Sequence, residues 1–335
     1  MSGSDLLSRG AMNAVETCMG LKQGDKVLIV TDNAQLVVGN ALKAAAEKIT
    51  GASNVKFYIL EAYTQRPAQY LPKEIEEAIP KVDVTFWAAT SLPGELPMRH
   101  RFIDAAKKYA RHGHMPNITK RLMEEGMLSD YDEVYALTHK VYDIVKHAKK
   151  ISVSNKPGTR LEVEFDSSWR WIPCDGRYHT KGKWGNLPEG ETFTAPKRVN
   201  GRLVTNLLGD WFSEKYGNFR DPLSLEISNS KIDLSSIKCE NTALKGEVQK
   251  YLSTDQYSAT ASEFALPTNP LLIASPTIGN LLQDEKARVH IAFGDPYPEE
   301  TGANWTSNTH VDMLLEECDV TVDGRQIMRA GAYII

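Results

Sequence analysis

The first 150 residues alternate between short, nearly continuous apolar runs and longer stretches with helical periodicity. The apolar runs cover residues 26–31, 55–60 and 82–88, and helical stretches follow at 34–49 and near 98–110. Apolar strands separated by helices are typical of a parallel sheet that is covered on both faces. The pattern therefore predicts a Rossmann-like α/β domain. The loop after the first run has no glycine fingerprint, so we do not expect it to bind a nucleotide pyrophosphate.

The pattern changes after a helix predicted over residues 131–149. From residue 151 onward, short segments such as residues 161–165 alternate between apolar and polar positions, which is typical of half-buried strands. Turns at residues 156–158 and 174–176 separate these segments. Because 335 residues are long for one hydrophobic core, we predict two domains: a Rossmann-like α/β domain over residues 1–150 and a β-rich domain over residues 151–335.

Composition excludes several classes of protein. The net charge of -4 provides no basic surface for nucleic acid or for an anionic membrane. The four cysteines contain no CxxC pair, so they indicate neither a zinc ribbon nor a disulfide framework. The amino terminus lacks a signal-peptide pattern, and no apolar run approaches the ~20 residues of a membrane span. We therefore expect a soluble, cytoplasmic protein with no nucleic-acid or membrane partner.

Side chains that commonly bind metals lie in or beside apolar, strand-like runs of the second predicted domain. A charged group is costly in such a run unless it is paired or bound to a metal. His310 and Asp312 are two residues apart, so on a strand their side chains point to the same face. The alternative for each group is a hydrogen-bonded histidine or a salt-bridged carboxylate, and we expect Glu189 to be paired in that way or exposed. The full candidate set is Glu191, Glu263, His290, Tyr297, His310 and Asp312.

Charge counting favours two metal ions over one. Two divalent cations carry four positive charges, which the three carboxylates and one bridging hydroxide would balance, whereas a single cation would leave the carboxylates overcrowded. In dinuclear sites the two ions lie ~3.5–4 Å apart. Imidazole ligands favour zinc, cobalt or manganese over calcium or magnesium. The residues therefore predict a metallohydrolase with two divalent metal ions in the domain formed by residues 151–335.

Four segments carry a resemblance to a known family. The segments "NLPEGETFTAP", "SEFALPTNP", "EKARVHIAFGDPYP" and "NTHVDM" resemble the dinuclear metallo-aminopeptidase family typified by aminopeptidase T and aminopeptidase S. The resemblance implies that Glu191, Glu263, His290, Tyr297, His310 and Asp312 bind the metals, in that order along the chain. It also implies a homodimer whose active sites open into an internal cavity, with short peptides as substrates. The resemblance is clearest from about residue 150 onward. The segment between Tyr297 and His310 is shorter than in the family. Tyr297, which precedes Pro298, is either a direct ligand or a hydrogen-bond donor to a ligand.

Other functions remain open at this stage. The sequence also resembles, more distantly, a ring-cleaving dihydroxypyridine dioxygenase with a His/His/Asp iron site. If this chain were a mononuclear iron oxygenase, His290, His310 and Asp312 would hold the iron. Retention of Glu191 and Glu263 favours hydrolysis over oxygen chemistry. A hydrolase of a small metabolite amide and a non-catalytic protein stabilised by its metals are further alternatives. Our main prediction is an aminopeptidase in which Glu191 or Glu263 carries a proton to the leaving amine.

Overall fold

The computed structural model describes residues 3–335, with the side chains of residues 5–335. The strands are β1 (Val27–Thr31), β2 (Val55–Ile59), β3 (Val84–Ala88), β4 (Arg111–His114), β5 (Lys150–Ser154), β6 (Arg160–Glu164), β7 (Ile172–Cys174), β8 (Trp184–Asn186), β9 (Glu191–Thr194), β10 (Arg198–Thr205), β11 (Leu223–Ser228), β12 (Lys231–Ile232), β13 (Ala261–Pro267), β14 (Val289–Gly294), β15 (His310–Leu315), β16 (Asp319–Val322), β17 (Arg325–Arg329) and β18 (Ala332–Tyr333). The α-helices are α1 (Gly3–Met12), α2 (Leu36–Thr50), α3 (Lys73–Glu76), α4 (Leu96–Tyr109), α5 (Lys120–Glu124), α6 (Tyr131–Val145), α7 (Trp211–Tyr216), α8 (Thr242–Tyr251), α9 (Pro270–Ile273), α10 (Leu281–Asp284) and α11 (Pro298–Thr301). A π-helix, Asn13–Cys18, follows α1.

The chain forms two compact units. The first contains the residues up to Tyr135 and the segment Asp175–Glu189. Its sheet has the strand order β2-β1-β3-β4-β8, and every neighbouring pair is parallel. All five residues of β1 and of β3 are buried, because central strands of a parallel sheet are covered on both faces. The predicted Rossmann-like α/β architecture is therefore confirmed.

A buried ion-pair network lies where β1 and β3 end. Arg66 places Nη1 2.5 Å from Asp32 Oδ2 and Nε 2.9 Å from Glu95 Oε1. Asp32 also accepts a hydrogen bond from the backbone N–H of Thr90 at 2.7 Å. Ligands of open α/β sheets commonly bind at the carboxyl ends of the strands. In this chain those ends carry Arg66, Asp32 and Glu95, whose side chains are at most 6% exposed.

The second unit, made of Ala136–Cys174 and Gly190–Ile335, contains two antiparallel sheets. One has eight strands in the order β12-β11-β10-β6-β5-β16-β17-β18, and the other has five in the order β15-β14-β13-β9-β7. Strand β6 alternates between exposed and buried residues, as a sheet with one solvated face requires. Both sheets contribute to one hydrophobic core, which includes Val163 and Leu225 from the first and Phe264, Ile291 and Phe293 from the second. The β-rich architecture is therefore also as predicted.

Several boundaries differ in detail from the sequence prediction. Helix α6 ends at Val145 rather than at residue 149. Strand β8 pairs with β4 in the parallel sheet, and a three-residue strand carries no periodicity that a sequence pattern could reveal. The predicted boundary between two domains at residue 150 stays a prediction. Among the residues that the structure describes, no helix is long and apolar enough to cross a membrane.

Candidate metal centre

Four adjacent strands of the five-stranded sheet carry the carboxylates and imidazoles that the sequence analysis selected. In the ladder, Glu263 of β13 lies opposite Ala292 of β14, and Ala292 lies opposite Asp312 of β15. His290 is two residues before Ala292, so both side chains leave the same face of β14. The side chain of Ala292 is a single methyl group. Because it is so small, it leaves space for a metal ion between the carboxylates of Glu263 and Asp312.

Glu191, Glu263 and His290 form the first ligand group. One ligand atom from each of the three lies within 4.8 Å of the others. His290 Nε2 is 3.4 Å from Glu191 Oε2 and 3.5 Å from Glu263 Oε1. All three side chains are buried. These distances are too long for strong direct hydrogen bonds and suit atoms that surround a common cation.

Glu263, His310 and Asp312 form a second group beside the first. His310 Nε2 is 3.6 Å from Glu263 Oε2 and 3.5 Å from Asp312 Oδ1. Glu263 therefore turns one carboxylate oxygen to His290 and the other to His310. The ring centroid of Tyr297 lies 4.8 Å from that of His310. The structure thus brings together all six residues selected from the sequence.

Both imidazoles are oriented by backbone carbonyl groups. His290 Nδ1 lies 3.1 Å from the carbonyl oxygen of Arg288, and His310 Nδ1 lies 2.8 Å from that of Asp295. In each ring Nδ1–H donates to the carbonyl, so Nε2 faces the carboxylates. This tautomer and orientation are common for histidines that bind a metal through Nε2, because the second hydrogen bond fixes the ring.

Several buried carboxylates give the site a concentrated negative charge, which shifts the pKa values of its other groups. Burial alone would lower the pKa of His290, but the nearby carboxylates of Glu263, Glu191 and Asp312 raise it to about 10. Burial also lowers the pKa of His310, but the nearby carboxylates of Asp312 and Glu263 outweigh this effect and raise the pKa to about 10. Burial and the charges of Glu263 and Asp312 hold the pKa of the Tyr297 hydroxyl well above its usual range. Such a field attracts cations.

The donor groups fit a divalent metal. Glu191 Oε2 is buried and has no hydrogen-bond partner among the residues that the structure describes. A buried carboxylate oxygen without a donor is costly, and a cation shared with His290 and Glu263 would satisfy it. Carboxylate oxygens and imidazole nitrogens are donors that zinc, cobalt and manganese accept.

The loop between Tyr297 and His310 is fixed by two aspartates. Tyr297 has the left-handed backbone angle φ 50°, and its N–H donates to Asp295 Oδ1 at 2.9 Å. Asp255 accepts hydrogen bonds from the Ser307 hydroxyl at 2.9 Å and from the Asn308 N–H at 2.7 Å. Positive φ is unfavourable for a residue with a large side chain. The surrounding hydrogen bonds therefore hold Tyr297 in a conformation that it would rarely adopt alone.

Sequence reasoning missed two charged residues beside the site. The Lys286 ammonium lies 2.6 Å from Glu191 Oε1 and 2.9 Å from Glu285 Oε1, with no exposed side-chain surface. In the sequence these residues belong to the charged run at 284–286, which has the composition of a solvated turn. The available signal was the position of this run, separated from the fully buried strand β14 by only Ala287 and Arg288.

The expectation that Glu189 is exposed was wrong. Glu189 is 1% exposed, and its Oε2 accepts a hydrogen bond from the Tyr178 hydroxyl at 2.9 Å. Its backbone N–H donates to the Tyr131 hydroxyl at 3.2 Å. The two tyrosines lie far apart in the sequence, so this buried polar network could not be predicted from the local pattern. The carboxylate is paired, and a tyrosine hydroxyl is one of its donors.

The sequence matches a known protein family and two of the relatives that resemble it. A family model described as thermophilic metalloprotease (M29) matches residues 86–333. Aminopeptidase T from Thermus aquaticus is 29% identical over 232 residues, which cover 57% of this chain and 53% of the relative. Aminopeptidase T from Thermus thermophilus is 28% identical over 211 residues, which cover 53% of this chain and 48% of the relative. The chain thus spans about half the length of the curated relatives it matches.

Two solved structures have a similar fold. A 2,5-dihydroxypyridine dioxygenase from Pseudomonas putida KT2440 gives a TM-score of 0.72 at 16% identity, covering 100% of this chain and 98% of that one. Wild-type AmpT from Thermus thermophilus gives 0.69 at 17% identity, covering 100% of both chains. At these identities the two structures support the fold alone. The family model, by contrast, matches well over half of the sequence, and the chain therefore belongs to the thermophilic metalloprotease (M29) family.

Proposed function

We propose that the chain is a metal-dependent aminopeptidase that removes the N-terminal residue from short peptides. In this proposal Glu191, Glu263, His290, Tyr297, His310 and Asp312 hold two divalent metal ions, with zinc, cobalt or manganese as the candidate metals. The observation that carries the proposal is the orientation of Glu263, whose two oxygens lie 3.5 Å and 3.6 Å from the Nε2 atoms of two different imidazoles. Glu263 would therefore help to hold both ions, one near each imidazole.

The family and its named relatives support the same function. Membership in a metalloprotease family implies the use of a divalent metal. The two curated relatives are both named aminopeptidase T, which favours removal of N-terminal residues over internal cleavage. The homodimer that the sequence resemblance implies belongs to the proposal as well. Sedimentation of the purified protein at twice the mass of one chain would support it.

The chemistry divides between the metals and the chain. Divalent cations held by these residues would supply Lewis-acid chemistry, which polarises a scissile carbonyl and makes a water molecule nucleophilic at neutral pH. The carboxylates of Glu191, Glu263 and Asp312 form an acidic pocket that attracts the cationic α-amine of a peptide. A carboxylate accepts the proton from the nucleophile and returns it to the leaving amine, with Glu191 and Glu263 as the candidates.

A mononuclear iron oxygenase is the second candidate function. His290, His310 and Asp312 supply the two histidines and one carboxylate that such iron sites use. The two additional carboxylates, Glu191 and Glu263, lie within 3.6 Å of the imidazoles and give the cluster more negative charge than a single ferrous ion balances. This excess favours the hydrolase.

A substrate panel tests the proposal. Protein reconstituted with zinc, cobalt or manganese is given leucyl anilide, its N-acetylated form, a set of dipeptides and simple amides. We expect turnover of the anilide and the dipeptides, and little turnover of the acetylated form because it lacks the cationic amine. Turnover of simple amides alone would indicate a metabolite amide hydrolase, and oxygen uptake on dihydroxylated aromatics would indicate the oxygenase.

A further inference from the structure

Glu191 is held on its far side by a buried lysine. The Lys286 ammonium lies 2.6 Å from Glu191 Oε1, while Glu191 Oε2 lies 3.4 Å from His290 Nε2. The two oxygens of this carboxylate therefore have different surroundings. Oε1 is in a charge-assisted hydrogen bond, and Oε2 faces the imidazole and Glu263.

The lysine itself is fixed at both ends. Its side chain has no exposed surface, and its ammonium also lies 2.9 Å from Glu285 Oε1. Its backbone N–H donates to the carbonyl of Gln283 at 3.1 Å, directly after α10. Asp284 anchors the start of that helix by accepting hydrogen bonds from the backbone N–H groups of Gly279 at 2.7 Å and Asn280 at 3.0 Å. A lysine normally keeps its ammonium in water, so complete burial between two carboxylates indicates a specific position.

We propose that Lys286 is a positioning residue that makes Glu191 bind metal through Oε2 alone. The inference rests on the proposed function, because it takes Glu191 as a metal ligand. The Lys286 ammonium engages Oε1 in a charge-assisted hydrogen bond, so Oε2, which faces His290, is the oxygen that would be left to hold a metal ion together with His290 and Glu263. Partners of this kind, which orient a metal ligand without touching the metal, commonly set metal affinity.

The sign of the effect on metal affinity separates positioning from simple charge. If Lys286 acted only as a nearby positive charge, its removal would strengthen cation binding, since like charges repel. If Lys286 positions Glu191, its removal frees the carboxylate to rotate and weakens binding at that ion. The two roles therefore predict opposite changes in the dissociation constant.

The test compares Lys286→Met, Lys286→Arg and the wild-type protein. Zinc affinity is measured by competition with a chromophoric chelator, and the visible spectrum of the cobalt-loaded protein reports coordination geometry. We expect Lys286→Met to bind its Glu191-linked ion ~10–100-fold more weakly and to show an altered cobalt spectrum. Lys286→Arg keeps a cationic donor and should retain more of the affinity. Lys215→Met is the control, because it removes a lysine that pairs with Glu247 at 2.5 Å on the surface. It should leave both readouts unchanged.

Unchanged or tighter zinc binding in Lys286→Met, with an unchanged cobalt spectrum, would overturn the inference even if thermal stability falls. If Lys286→Met does not fold, Glu285→Gln loosens the second anchor of the ammonium. Because this variant also removes a negative charge, the deciding readout is the cobalt spectrum, which should change if Lys286 positions Glu191. An unchanged cobalt spectrum in Glu285→Gln would then overturn the inference. A wild-type protein that binds no divalent metal would instead refute the proposed function itself.

Discussion

At the scale of single residues, each carboxylate of the candidate metal centre has different neighbours and therefore a different proposed task. Glu191 is held by Lys286, Glu263 faces both imidazoles, and Asp312 pairs with His310 and packs against Gly209. Because Lys286 holds Oε1 of Glu191, Oε2 is the oxygen left for a metal ion, and the proposed role of Glu191 is that of a ligand first.

Replacing Glu191 by Gln tests that role. The substitution keeps the shape of the side chain but removes a negative charge from a site proposed to hold two cations. We expect loss of one metal ion and a fall in turnover of roughly 10²-fold or more, with the fold preserved. Elemental analysis and steady-state kinetics measure both. Glu226→Gln, on an exposed position of β11, is the matched control. Full metal content and wild-type turnover in Glu191→Gln would show that Glu191 is not a ligand.

Gly209 is a second position where a single atom should matter. A Cβ added there would lie 2.6 Å from Asp312 Oδ2 and 2.9 Å from the Asp312 backbone nitrogen, closer than real Cβ contacts allow. Gly209→Ala should therefore displace the Asp312 carboxylate and lower metal affinity by ~10-fold or more. Gly246→Ala provides the control, because an added Cβ there meets nothing within 4 Å and the position lies in α8. The control should bind metal normally and gain roughly 0.5–1 kcal/mol of stability. Equal metal affinity in the two variants would contradict this reading of Asp312.

At the scale of elements, strand β15 carries two proposed ligands of one metal. His310 and Asp312 leave the same face of β15, and His310 Nε2 lies 3.5 Å from Asp312 Oδ1. Residues that act as one unit show strongly non-additive losses. His310→Ala, Asp312→Ala and the double variant should therefore have similar residual turnover and lack the same ion. A double variant that loses the product of the two single effects, with two ions still bound, would refute a shared site.

The loop before β15 depends on the ionised form of Asp255. Partial burial would raise the pKa of Asp255, but hydrogen bonds from the N–H groups of Asn308 and Tyr257 and from the Ser307 hydroxyl lower it to about 2. Because the folded pKa is below the ordinary value of 3.8, the unfolded chain binds more protons between these two values. The stability that Asp255 contributes is therefore complete above the unfolded pKa and is lost as the pH falls through the folded pKa.

Comparison with Asp255→Asn measures that contribution. The variant lacks the charge, so near neutral pH we expect it to be less stable than wild type by roughly 1–2 kcal/mol. This is below the ~1.5–3 kcal/mol of hydrogen bonds to charged groups, because solvent screens this partly exposed carboxylate. As the pH falls below about 4 towards 3, the difference in unfolding free energy should shrink, since only the wild-type carboxylate becomes protonated. Urea unfolding at a series of pH values provides the data. A difference that stays constant or grows below about pH 4 would contradict the assigned role.

How much the sequence could predict also differs between elements and residues. The buried strands β1 and β3 and the alternation of β6 predicted both architectures, because burial patterns of strands are local. The six candidate ligands could be selected because each is polar within or beside an apolar run. Lys286 could not, since its partner Glu191 lies 95 residues away in the chain. Glu189 was misjudged for the same reason, as its burial depends on Tyr131 and Tyr178.

At the scale of the whole molecule, the fold alone does not identify the reaction. The same architecture is found in a structure named as a dioxygenase, with a TM-score of 0.72, and in one named AmpT, with a TM-score of 0.69. The residues of the site, rather than the fold, therefore determine the reaction. In this chain the site has three carboxylates around two imidazoles, with Glu263 between the imidazoles. The number of metal ions is the property that separates the two chemistries.

The most direct test is a titration of metal-free protein with zinc, cobalt or manganese, in which turnover of an aminoacyl anilide is recorded against the number of ions bound per chain. A dinuclear aminopeptidase predicts that turnover rises until about two ions are bound per chain and then stays constant. Full turnover with one ion bound would contradict the dinuclear site. Binding of a single iron, with oxygen uptake on dihydroxylated aromatics and no release of an N-terminal residue, would contradict the peptidase itself.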